Sequence, residues 1–512
     1  MERAFDLLSE RWLGISDLAG ATKRSGIHAI LLNASRIGAI VDPSPLVQFS
    51  ALRLLCAIVH WLHPIKSPDD WQTLWQTGQF PEPLTNALLE RGADRFDLFD
   101  AGRPFYQMPR EVSKNDLRPI SDLAFEVPTD TNINHFRHAY DDQQAFCPAC
   151  CARGLIQVPP FCAQGGRPKP PSINGAPPAY LYLTGSNLFE TIMLNLPIPK
   201  LIPESDSLFP PDDLPAWEGR TAGDGPIGLL EGLTWQPRSV YLLPQGDQPG
   251  TCSLCGSQSS MLTRSMVFRA GRSKKKEARR LWIDPHTPMR NKDGKDQPLI
   301  APDPIKRSRS AAGFWRTIIQ ASYPSGDSES AIQRPIILRQ FDALSRICKG
   351  KLPPVKVQSV CLHTNQAKCI HWGTSEIDLI CDSGVCGKLM NALDLAGNVA
   401  RHFRPKAKAG RSAKAKDPRF QRFDAFYCQT ISNALPQLER QMEDRFRILV
   451  AAAVTNPDSI DARIHDWENS LSGLAADNLA TASVLAHAPM CHGCYITASA
   501  RKLAALQQGG NI

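Results

Sequence analysis

The segment at 45–62, PLVQFSALRLLCAIVHWL, carries a clean apolar repeat. Leu46, Phe49, Leu52, Leu55, Ile58 and Trp61 recur at helical spacing, Ser44 can cap, and Pro45 suits the first helical position, so a helix is predicted. Residues 63–130 alternate short helical stretches with proline-rich turns. Residues 158–178, VPPFCAQGGRPKPPSINGAPP, contain seven prolines and predict an irregular segment with no regular helix. It reads either as a linker or as an ordered functional loop inside a folded region. The pattern AYLYLTGSNLFETIMLNLP at 179–197 predicts a strand leading into a helix. Residues 200–224 are polar and proline-rich, a surface excursion. Residues 225–245 predict a short helix and then a strand, and 260–310 is basic with hairpin character. Residues 312–347 and 387–404 read as helical. From 424 onward three more helical patterns follow: AFYCQTISNALPQLERQMEDRFRILVAAAV, IDARIHDWENSLSGL and ATASVLAHAPMCHGCYITASARKLAAL. With the helix at 387 they make four, which predicts a C-terminal four-helix bundle.

A length of 512 residues suggests two to four domains, and 42% apolar with 21% charged residues is ordinary for a globular chain. Charges interrupt the opening MERAFDLLSERW, so no signal peptide is expected. No apolar run reaches the roughly 18 residues of a membrane span. The expected location is the cytoplasm, with no membrane partner. The net charge of +8 is unevenly spread. Residues 401–422 carry nine Lys or Arg against one Asp. Arg269, Arg272, Lys274, Lys275, Lys276, Arg279 and Arg280 crowd a dozen residues in which Glu277 is the only acid. Such clusters suit a phosphate backbone, because each neutralised phosphate releases counterions. The plainer alternative is a solvated loop.

Fifteen cysteines in a reducing compartment need an explanation other than disulfides. Cys147 and Cys150 form one C-x-x-C, and Cys252 and Cys255 another. Two such knuckles can place four thiolates tetrahedrally about Zn²⁺ and close the site to water, a structural arrangement and not a hydrolytic one. The pairs lie far apart in sequence and Cys151 adjoins the first, so buried cysteines acting as small hydrophobes stay open as an alternative. A redox pair is disfavoured, since neither motif sits in a βαβ unit. Cys381, Cys386, Cys491 and Cys494, with His487 and His492 near the last pair, are a conceivable second metal set. No H-E-x-x-H, Walker A, G-x-S-x-G or paired D-x-D motif occurs, and His286 and His363 stand alone. An enzyme is not expected.

Several segments together resemble one family. They are LLSERWLGI; the proline-rich loop followed by TGSNLFETIMLNLPIP; GLLEGLTWQP with a C-x-x-C shortly after; LWIDPHTP; TNQA at 364–367; and the closing helical region. In this order, over nearly the whole chain, they are similar to the large subunit of type I-E CRISPR Cascade, the CasA family. The resemblance implies an α+β chain: a large mixed α/β N-terminal domain (1–375) with a structural zinc site, then a C-terminal four-helix bundle (376–512). It implies a non-catalytic, DNA-binding subunit of an RNA-guided antiviral complex. That subunit recognises the PAM in duplex DNA, promotes R-loop formation and helps recruit the helicase–nuclease. Its partners would be the other Cascade subunits, guide RNA and target double-stranded DNA. A free-standing zinc-binding architectural protein is the alternative, and a metal-dependent nuclease a third.

Carried over residue by residue, the resemblance makes Cys147, Cys150, Cys252 and Cys255 the zinc ligands. Gln366, within Asn365-Gln366-Ala367, matches the family's wedge. The family's glycine loop falls at Gln164, Gly165, Gly166 and Arg167, with fewer glycines and more prolines than the family pattern, which puts the PAM preference in doubt. The PAM-reading lysine has no clean equivalent; Arg269 and Arg272 are the nearest cations, with Lys274 and Lys275 beside them. Asn132, Asn134, His135 and Arg137 fall in the loop that touches the guide RNA and a neighbouring subunit.

Overall fold

The computed structural model describes residues 5–109, 111–113, 116–126, 144–162, 173–202, 209–219, 226–245, 249–272, 282–292, 294–302, 313–323, 332–365, 368–402 and 418–485. The chain forms two units, one of residues 1–301 and 333–376, the other of 302–332 and 377–512. The chain crosses between these units at 301/302, 332/333 and 376/377, so residues 302–332 cluster with the C-terminal helices.

The first unit opens with three short strands, β1 (Leu13–Asp17), β2 (Thr22–Ser25) and β3 (Ile37–Ile40), in the order β2-β1-β3, with helix α1 (Ile27–Leu32) between the last two. The predicted helix α2 spans Pro45–Leu62. Fifteen of its residues are buried, Arg53 and His60 among them. A helix apolar all round belongs in a core. This one is long and apolar enough to cross a membrane by composition alone, yet it is packed inside the fold. Helices α3 (Pro68–Thr77) and α4 (Glu82–Gly92) follow.

Helix α5 spans Pro148–Phe161 and corrects the expectation of irregular backbone from 158 onward. Pro159 and Pro160 occupy its last turn. Every residue of the helix is buried, and the Tyr180 hydroxyl donates to the Pro160 carbonyl at 2.9 Å. Burial and that bond outweigh the local cost of proline.

The predicted strand and helix at 179–197 are β5 (Tyr180–Thr184) and α6 (Leu188–Leu194). Asn187 caps α6 by accepting from the Glu190 amide at 2.9 Å. Farther on lie α7 (Leu229–Leu233) and β6 (Arg238–Gln245), also as predicted. The Asp213 carboxylate accepts from the Leu230 and Glu231 amides at 2.6 and 2.9 Å, closing the start of α7. Strand β9 (Leu262–Ala270) pairs antiparallel with β6 and with β4 (Leu117–Pro119). The two-stranded β7 (Gly250–Thr251) and β8 (Gln258–Ser259) carry the second C-x-x-C between them, and β10 (Met289–Lys292) with β11 (Lys295–Pro298) is the hairpin of the basic region.

A three-stranded sheet has the order β14-β13-β5, with β13 at Lys356–Asn365 and β14 at Lys368–Asp378. Strand β5 runs antiparallel to β13, with Tyr180 opposite Val360 and Thr184 opposite Lys356. Residues 366–367, between β13 and β14, lie outside the described residues.

In the second unit, Phe314–Ser322 forms α8. Helices at Ser383–His402, Pro418–Thr455 and Ile460–Leu485 follow, with a short 3-10 helix at Pro457–Ser459 before the last. The last is one continuous helix where the sequence suggested a break between two, because residues 475–480 hold no strong breaker. Residues 486–512, with the rest of the expected fourth helix, lie outside the described residues. Trp315 Nε1 donates to Glu439 at 3.0 Å, Arg316 pairs with the same carboxylate, and Phe446 packs between Trp315 and Trp467. Thus α8 joins the C-terminal helices through a buried acid.

Candidate metal centre and nucleic-acid interface

The two C-x-x-C motifs come together. Cys147 is the N-cap of α5 and Cys150 lies in its first turn. Cys252 and Cys255 sit in the turn between β7 and β8, where Gly256 takes a left-handed φ of 71° and donates to the Cys252 carbonyl. Backbone stitches the knuckles: Ser253 N–H donates to the Ala145 carbonyl at 2.8 Å, and the Ala145 amide to Ser253 Oγ at 3.0 Å. Phe146 and Thr263 exchange both backbone bonds at 2.9 Å.

All four sulfurs lie within 4.8 Å of one another. Cys150 and Cys252 are 3.5 Å apart, Cys147 and Cys255 3.8 Å. A tetrahedral ion with metal–sulfur bonds of about 2.3 Å would hold its sulfurs about 3.8 Å apart. These spacings fit a metal and are far too long for disulfides. Hydrogen bonds from Cys147 and Cys150 hold the Cys252 thiol well below its usual range. Cys150, bonded to the Cys147 and Cys252 sulfurs and then buried, is pushed far up. Four thiolates so close need a cation to coexist.

Sequence reasoning missed Arg153. It donates to Cys150 Sγ at 2.8 Å and to the Asp42 carboxylate at 2.7 Å, tying the knuckle to the turn after β3. Its burial lowers its pKa, but Cys150 and Asp42 more than offset that. The signal available was a cation one turn beyond a C-x-x-C on an otherwise apolar helix. Among the described residues no other cluster of metal-ligating side chains occurs. Cys381 is exposed and Cys386 is buried, while Cys491 and Cys494 lie outside the described residues.

The resembling motifs GLTWQP and LWIDPHTP meet α2. Arg53 donates to the Leu233 and Gly232 carbonyls at 2.9 and 3.1 Å and pairs with Asp284 at 2.8 Å. Burial raises the Asp284 pKa, but Arg53 and His286 more than reverse it and keep the acid ionised. His286 is wholly buried, lies edge-on to Phe49, and burial lowers its pKa. It is a packing residue, not an accessible base. Gly232 has no room for a side chain: an added Cβ would meet the Trp282 ring at 2.1 Å.

Of the expected nucleic-acid residues, Arg269 lies on β9 and pairs with Asp116. Arg272 is half-buried, donates to the Ala216 carbonyl at 3.3 Å, and burial lowers its pKa. Both are engaged within the protein. Asn365 ends β13. Gln366, Gln164, Gly165, Gly166, Arg167, Lys274, Lys275, Asn132, Asn134, His135 and Arg137 lie outside the described residues. Tyr180 is opposite Val360, so the start of β5 lies toward the end of β13 that reaches Asn365.

The model of the family described as CRISPR-associated protein Cse1 matches residues 6–477. A curated relative, CRISPR-associated protein CasA/Cse1 of Thermus thermophilus, is 32% identical over 263 residues, which are 48% of this chain and 50% of the relative. The chain thus spans about half the length of that relative. Cse1 from Acidimicrobium ferrooxidans has the same fold, with a TM-score of 0.73 at 20% identity, over 99% of this chain and 98% of the other. A chain of a CRISPR RNA-guided surveillance complex superposes with a TM-score of 0.69 at 16% identity, over 98% and 99%.

Proposed function

Because the chain belongs to the Cse1 family, that of the large subunit of type I-E Cascade, we propose that it reads the PAM in duplex DNA and begins strand separation. The observation that carries this reading is the match of the family model to residues 6–477. A groove-reading loop and a wedge must reach the same few base pairs, and the start of β5 and the end of β13 lie toward the same end of one sheet. Gln164, Gly165, Gly166 and Arg167 approach the minor groove, where glycines allow close backbone contact and few bases are distinguished. Gln366 parts the adjoining pairs, at a cost of about a few kcal/mol per step. Lys274 and Lys275 take backbone phosphates, and the paired Arg269 and Arg272 anchor the strand end from which that segment continues. Asn132, Asn134, His135 and Arg137 face the guide RNA and a neighbouring subunit.

Cys147, Cys150, Cys252 and Cys255 hold one Zn²⁺, which crosslinks the start of α5 to the β7–β8 turn and leaves no position for substrate. The subunit is non-catalytic, acts in the cytoplasm, and helps recruit the helicase–nuclease once the R-loop has formed. The test is R-loop rate in the assembled complex, wild type against Gln366→Ala. Slowing on fully paired targets, with little change on targets mismatched beside the PAM, is expected, since their separation cost is already met. Equal slowing on both would overturn the wedge.

A further inference from the structure

Lined by none of the four clustered cysteines, a cavity of about 400 Å³ lies in the first unit. That is within the size range of small-molecule sites, about 300–1,000 Å³, and far larger than a lone inorganic anion needs. Arg95, Arg103 and Arg272 line it, and among the described residues no carboxylate does. Their tethers leave donors to spare: Arg103 Nη2 donates to the Glu218 carbonyl at 3.0 Å, Arg95 Nε faces the Glu218 carboxylate at 3.5 Å, and Arg272 Nη2 holds the Ala216 carbonyl. A guanidinium has five N–H donors in a fork that fits phosphate oxygens.

Part of the remaining wall is aromatic. Tyr106 and Trp217 line it with ring centroids 6.0 Å apart, backed by Phe105 stacked on Tyr106 at 4.3 Å. Tyr106 has a φ of 56°, a strained left-handed backbone that is uncommon for an aromatic residue. Two donors on this wall are shut off from water without a hydrogen-bond partner, Trp217 Nε1 and Arg272 Nε. A buried donor left unpaired is destabilising, and a small rotation toward an acceptor in the cavity would relieve it.

We propose that this cavity binds one nucleotide unit, with its phosphate on Arg103 and Arg272 and its base against Tyr106 and Trp217. Cations on one side and flat π-faces on the other are the chemistry of single-nucleotide recognition. The unit comes either from a free mononucleotide or from the phosphorylated end of a strand. Of the residues assigned to DNA only Arg272 lines this cavity, and the test needs no duplex.

Titration calorimetry of the purified full chain with AMP should show saturable one-to-one binding. Arg103→Gln should weaken it at least tenfold. Arg103 is exposed, so this variant keeps the fold. Arg272→Lys, which keeps charge but loses the fork, should weaken it as well. A 5′-phosphorylated RNA trimer that displaces AMP assigns the site to a strand end; AMP binding without displacement assigns it to a free nucleotide. Either supports the proposal. Absence of saturable binding, wild-type affinity in both variants, or inorganic phosphate binding as tightly as AMP would overturn it.

Discussion

Arg53 sits in the middle of a buried helix, where an unpaired cation would be prohibitive, and Asp284 answers its charge at 2.8 Å. Arg153 plays a comparable part between Asp42 and Cys150. Both arginines are visible in the sequence as cations on apolar helices. Their partners are not, because Asp42 and Asp284 come from distant turns with no local pattern to mark them. The cysteines were legible for the opposite reason: a C-x-x-C is a local geometry, and two of them state most of a tetrahedral site in advance. We expect the purified chain to hold about one zinc ion, with Zn–S near ~2.3 Å by X-ray absorption. Cys252→Ser should lose the ion and lower the unfolding midpoint. A metal-free preparation that melts with the wild type would contradict a structural metal.

Among the elements, those with strong local periodicity were legible: α2, the β5–α6 pair, and the α7–β6 pair. The reach of α5 through Pro159 and Pro160 was not, since burial decides it. Nor was the pairing of β5 with β13, where Tyr182 meets Gln358 at 2.6 Å across 176 residues of chain; alternation specifies a strand but not its neighbour. Helix α7 shows a different dependence, because a largely buried acid closes it. Burial pushes the Asp213 carboxyl up to about 6, although the Glu231 and Leu230 amides pull it down. The folded chain therefore keeps this proton between about pH 4 and 6 while the unfolded chain releases it. The stabilisation is complete below about pH 4 and is lost as pH rises through 6. By pH 7 the loss is on the order of 3 kcal/mol. Asp213→Asn keeps an acceptor and removes the titration. Its stability relative to wild type should rise between pH 4 and 7, measured by urea unfolding at each pH. A constant difference would show that Asp213 does not titrate in this range.

For the whole molecule, the division into units is the part the sequence conceals most. Residues 302–332 precede the last strands of the first unit yet cluster with the second, because Trp315 and Arg316 supply the partners of Glu439. Glu439 is 2% exposed, so a piece cut at 375/376 would strand a buried charge. In the full chain Glu439→Gln should destabilise the helical unit, since losing one side of a buried pair costs about 3–5 kcal/mol. In a 376–512 fragment the same change should stabilise, as the charge has no partner there. Thermal melts of the four proteins check this reversal of sign, and the same sign in both backgrounds would refute it. The connection also orders events at birth. Arg316 and Glu439 are 123 residues apart, and a ribosome adding about 5–20 residues per second takes roughly 6–25 s to cover that gap. For that interval Trp315 and Arg316 are out and their acceptor is not yet made. A nascent chain must shelter an aromatic, cationic segment through seconds of translation, and a pause or rare-codon run between the two would lengthen its exposure.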